Sequence, residues 1–103
     1  MATIGTFTAS NNGYTGFVET LTLNLNVTFV ATEKDNDRTP DYRIFTGGIE
    51  LGAAWKKTVR DADREYLSVK LDDPSFSSPI YASLVKGESE GGFMLIWSRR
   101  NSD

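Results

Sequence analysis

FVETLTLNLNVTF, Phe17 to Phe29, decides the fold class. Phe17, Leu21, Leu23, Leu25, Val27 and Phe29 all fall on odd positions, where only Glu19 breaks the series, with Val18, Thr20, Thr22, Asn24, Asn26 and Thr28 between them. Strict alternation of this kind puts one face of an extended chain against a core and the other in solvent, and β-branched and aromatic side chains suit a pleated surface. The segment is longer than an ordinary strand, so it is read as one long strand or two joined by a bend, with a bulge or kink near Leu23 to Asn26.

Working outward, further strands are expected at Ile4–Thr8, Tyr42–Phe45, Ile49–Thr58, Tyr66–Asp72, Ile80–Val85 and Phe93–Ser98. Asn11-Asn12-Gly13, Gly47-Gly48 and Gly91-Gly92 punctuate them, and the Gly-Gly pair predicts a tight hairpin between Tyr42–Phe45 and Ile49–Thr58. Thr32 to Asp41 is a polar loop in which Pro40 blocks a helix, and Asp72 to Pro79 is a turn-rich connection pinned to the core by Phe76. No segment holds a period of 3.6 residues over ten positions. The expectation is a single all-β domain over residues 1–103, with seven or eight short, mainly antiparallel strands forming a sandwich or a partly open barrel, an OB-like barrel included.

Composition excludes much chemistry. The chain has 103 residues, no cysteine and no histidine, which removes thiol nucleophiles, disulfides, imidazole or thiolate metal ligands and the usual general base near neutral pH. Asp61 to Glu65 alternates acids as a calcium loop does, but Tyr66 stands where that loop needs glycine. Ser75, Ser77 and Ser78 have no histidine to activate them. The expectation is therefore a protein that is not an enzyme, with no catalytic residues, no metal and no cofactor. The start MATIGTFTAS carries neither a basic leader nor a long apolar run, and the chain has no stretch of a membrane span's length, so a cytoplasmic protein without a membrane partner is expected.

The formal charge is −3, unevenly placed. Residues 51–70 hold five bases and three acids, while the flanking segments are net acidic. Within that basic segment, parity groups Trp55 with Ile49 and Leu51 and so turns Trp55 inward, and it groups Leu67, Val69 and Leu71 in the same way. The outer face is then expected to carry Lys56, Lys70 and Tyr66, with Arg60 and Arg64 extending it from the loop. Lysines beside an exposed ring are what single-strand binders use, the cations meeting phosphates and the ring stacking on bases. The candidate ligand is single-stranded DNA or RNA. The alternative is a protein partner met through the acidic loop residues Glu33, Asp35, Asp37 and Asp41, which could mimic nucleic acid toward a basic surface. A homodimer formed through an edge strand is also open.

Read in order, MATIGTFT, GFVETLTLN, PDYRIF, GAAWKKT, REYLSVKLDDPSF, PIYASLV and LIWSR resemble the family catalogued as domain of unknown function 736, small bacterial proteins often encoded on conjugative plasmids and other mobile elements. The resemblance spans nearly the whole chain. It implies a setting in horizontally transferred DNA and carries no activity. Asp63 stands where similar proteins commonly have glycine, a difference that bears on loop shape and leaves the fold unaffected.

Overall fold

In a computed structural model, the structure describes residues 2–10, 12–33, 35–36, 38–58, 65–87 and 92–97. Eight strands form: β1 (Ala2–Ser10), β2 (Gly13–Glu19), β3 (Asn24–Ala31), β4 (Tyr42–Thr46), β5 (Ile49–Thr58), β6 (Glu65–Leu71), β7 (Ile80–Lys86) and β8 (Gly92–Trp97). Each pairs antiparallel with its neighbour in sequence, and β8 pairs back onto β1, so the sheet closes as an up-and-down barrel. The all-β reading holds, and of the architectures it allowed the chain adopts a barrel that is fully closed. Closure leaves no free edge among the described strands, so the route to a dimer through an edge strand is not offered.

The Phe17–Phe29 stretch is two strands. Thr20 to Leu23 forms the turn between them: the Thr20 amide donates to the Leu23 carbonyl at 2.8 Å, and the Thr20 hydroxyl accepts from the amides of Thr22 and Leu23 at 3.3 and 3.1 Å. Glu19 pairs with Asn24 across this turn and Val18 with Leu25. Paired residues share a face, so an even number of turn residues switches the inward parity from odd on β3 to even on β2. Val27 and Phe29 are accordingly buried, as read, but Val18 replaces Phe17 inside, and Phe17 stands 46% exposed.

Gly47 and Gly48 take φ of 56° and 87°, the left-handed pair that a two-residue hairpin needs and that other residues seldom adopt. Just beyond this hairpin β5 bulges. Ile44 pairs with Gly52 but Phe45 with Glu50, so Leu51 is the extra residue. A bulge shifts the alternation by one. Leu51 and Ala54 are both buried, at 3% and 0% exposure.

The interior is filled by Phe7, Phe29, Ile44, Leu71, Leu95, Val18, Val27 and Val69, all under 2% exposed. Eight strands enclose a space just wide enough for side chains, which is why this barrel has a packed core rather than a channel. The upper half is aromatic: Phe7 meets Phe29 edge-on at 5.2 Å, and Tyr14 meets Phe29, Tyr42 and Phe93 at 6.0, 5.5 and 4.8 Å between ring centres. No polar side chain is buried among the described residues. Phe76, half-buried, packs against the core from the Asp72–Pro79 connection as expected. Outward positions on β1, β2 and β3 include Thr6, Thr8, Thr15, Asn26 and Thr28, while those on β7 and β8 include Val85, Met94 and Ile96.

Candidate functional site

The register of β5 through β8 composes one outer face. Thr58 pairs with Glu65 across residues 59–64, an even loop, so even positions on β5 share the inward face with Leu67, Val69 and Leu71. Trp55 therefore stands opposite Ser68, Ala53 opposite Lys70 and Lys57 opposite Tyr66. β7 continues the face with Tyr81 opposite Lys70 and Ser83 opposite Ser68. On the other side Arg43 of β4 lies opposite Ala53. The result is a surface with three cations (Arg43, Lys57, Lys70), three aromatic side chains (Trp55, Tyr66, Tyr81) and a floor of Ala53, Ser68 and Ser83.

Two details orient it. The Lys70 ammonium lies 5.9 Å from the centre of the Tyr81 ring, a cation–π contact that sets cation and ring side by side on the sheet. The Trp55 indole N–H donates to the Arg38 carbonyl at 3.1 Å, which ties the ring's polar edge to the 32–41 loop and leaves Trp55 half-buried on the outside. Arg43 is paired with Glu50 at 3.7 Å, both side chains more than half exposed, so this bridge is worth little in water.

The inward placing of Trp55 and the outward placing of Lys56 are thus corrected. Simple alternation carried Leu51's phase through to Trp55, and the bulge at Leu51 breaks it. Lys56 pairs with the buried Leu67 and turns to the barrel mouth. Lys57 takes the place beside Tyr66. Tyr66 and Lys70 stand outward as expected, and Arg60 and Arg64 lie outside the described residues.

The mouth itself is a cleft of about 200 Å³. Tyr14, Tyr42, Tyr66 and Phe93 wall it, Lys56 and Lys86 bring positive charge, and Glu65 brings a carboxylate. Burial, followed by the neighbouring Tyr42 and more weakly Glu65, pushes the Tyr14 phenol above its ordinary range. It stays neutral through the physiological range, a donor rather than an anion. Sequence reasoning missed this cleft, because its walls come from six strands and share no local motif.

The acidic loop is partly structural. The Asp41 carboxylate accepts from the Lys56 amide at 2.7 Å, and the Asp41 amide donates to the Ala54 carbonyl at 2.9 Å. Glu33 and Asp35 are exposed, and Asp37 lies outside the described residues. The Asp61–Glu65 alternation falls mostly outside them as well.

Over residues 3–100 the sequence matches the family described as Protein of unknown function (DUF736). The chain belongs to this family. Neither the curated proteins nor the solved structures compared with this DUF736 chain contain a match. Its barrel and outer face are therefore read from its own residues.

Proposed function

We propose that this DUF736 protein is a non-enzymatic module that binds single-stranded nucleic acid on the outer face of β5, β6 and β7. The observation that carries the reading is the register that sets Lys57 beside Tyr66, Trp55 beside Ser68 and Lys70 beside Tyr81. Cation and ring alternate across a strip of sheet. A single strand offers a phosphate and a base at each step, and such a strip meets them with a cation and a π-face. Ser68 and Ser83 add hydroxyls able to donate to phosphate oxygens or base edges.

Against the chain's net acidic charge the attraction is local, over about a Debye length, ~8 Å at physiological salt. Binding is accordingly weak and salt-sensitive. It favours flexible single strands, whose bases are free to stack, over a duplex that hides them. The mobile-element setting that the family resemblance implies is one in which single-stranded DNA is at hand.

The test is fluorescence anisotropy of a labelled single-stranded oligonucleotide of about 16 nucleotides at ~50 mM salt, with the matching duplex as competitor. Saturable binding that the duplex fails to displace is expected. No binding at that salt overturns the reading.

A further inference from the structure

The barrel mouth adjoins the outer face through one residue. Tyr66 stands opposite Lys57 on the outside and also walls the cleft. From the geometry of that cleft we infer that it seats a single nucleoside monophosphate, either free or as the terminal nucleotide of a strand. The choice of a nucleotide over other aromatic anions rests on the outer-face reading.

Size sets the first limit. About 200 Å³ is smaller than the roughly 300–1,000 Å³ of drug-sized sites, so the cleft takes the base alone, with the sugar and phosphate at its open lip. Its floor is apolar, Leu67 and Leu84 being 5% and 2% exposed. Its walls are Tyr42, Tyr66 and Phe93, rings that stack on a base of any sequence. Above the floor stand Lys56 on β5 and Lys86 on β7, both exposed. Among the described residues the ion pair is Arg43 with Glu50, so neither lysine is neutralised by a described acid. Two ammonium groups at the lip of an aromatic slot match a phosphate carried on a base.

Glu65 decides which base. A carboxylate in the same cleft repels phosphate but accepts hydrogen bonds from an exocyclic amine. Adenine, cytosine and guanine carry such an amine on the pairing edge, and thymine offers only its ring N3–H. The cleft therefore prefers amino-bearing bases, with phosphate held on the lysine side.

The experiment is an NMR titration of the ¹⁵N-labelled protein with dAMP, dTMP and inorganic phosphate. We expect dAMP to move the amides of Tyr14, Tyr42, Lys56 and Phe93, with dTMP and phosphate each about tenfold weaker. Lys56→Ala with Lys86→Ala, both exposed positions that the fold does not depend on, should remove the response, and Glu65→Gln should level dAMP with dTMP. A linear oligonucleotide bound about tenfold tighter than its covalently closed circle assigns the cleft to strand ends; equal binding, with dAMP still seated, assigns it to free nucleotide. Mouth amides unmoved by dAMP overturn the inference, whatever oligonucleotides do at the outer face. Loss of oligonucleotide binding on Lys57→Glu with Lys70→Glu, while dAMP still binds, confines the two sites to separate functions and leaves this one standing.

Discussion

Lys57 stands directly across the β5–β6 ladder from Tyr66, while its neighbour Lys56 stands across from Leu67. Adjacent lysines thus serve different surfaces, one the outer sheet and the other the mouth. Reversing Lys57 and Lys70 to Glu should abolish single-strand binding by the outer face and leave the fold intact, since neither side chain is buried. In the unaltered protein, log Kd plotted against log salt should reflect roughly three phosphate contacts at about 0.7 each, a slope near 2 in magnitude. Lys56→Ala should keep that slope for a circular strand. Anisotropy titrations across a salt series check both.

Trp55 should report binding directly. The other tryptophan, Trp97, faces the opposite end of the barrel beside Ala2, Ile4 and Ile80. Stacking of a base on Trp55 should quench its fluorescence, and Trp55→Phe should remove the quenching while keeping most of the affinity. Trp55→Ala should weaken binding by about 1–3 kcal/mol, the usual worth of one stacked base.

Much of the fold was legible because alternation, aromatic strands and Gly-Gly punctuation are local signals. Every strand read from the sequence is present, and the Gly47-Gly48 hairpin and the Asp72–Pro79 connection follow the reading. What alternation does not carry is where it changes phase. The even turn at Thr20–Leu23 and the extra residue at Leu51 each shift it by one, and each moved a ring across the sheet: Phe17 and Trp55 outward. The outer-face candidates Tyr66 and Lys70 were found because β6 alternates without interruption. Lys57, Tyr81 and the mouth were not, since they depend on cross-strand register.

Gly52 lies opposite Leu71 on β6. A Cβ there would lie 1.9 Å from the Lys70 carbonyl oxygen, a backbone atom that cannot turn aside. Gly52→Ala should force the two strands apart beside the bulge, at about 1–3 kcal/mol as for other overpacked sites. Urea unfolding should show a lower midpoint with an unchanged slope. A midpoint equal to that of the unaltered protein would show that the ladder at Lys70 yields freely.

In the Asp72–Pro79 connection the Asp73 carboxylate accepts from the Ser75 hydroxyl and, at 2.9 Å, from the Ser75 amide. The hydroxyl first, then the amide, hold Asp73 below the ordinary carboxylate range. A carboxyl whose pKa is lower folded than unfolded stabilises the turn above the unfolded value, ~3.9 for Asp. The contribution is lost as pH falls through the folded value. NMR titration of the Asp73 carboxyl should give a midpoint under that reference, and Ser75→Ala should move it upward.

The central claim is that the outer face of β5, β6 and β7 is where single strands bind. Amide shift mapping of the ¹⁵N-labelled protein with a circular single-stranded oligonucleotide tests it most directly, because a circle has no end to enter the mouth. The account predicts perturbations concentrated at Trp55, Lys57, Tyr66, Ser68, Lys70 and Tyr81. Perturbations centred on β2 and β3, or on the 32–41 loop with the outer face of β6 and β7 unmoved, would contradict it.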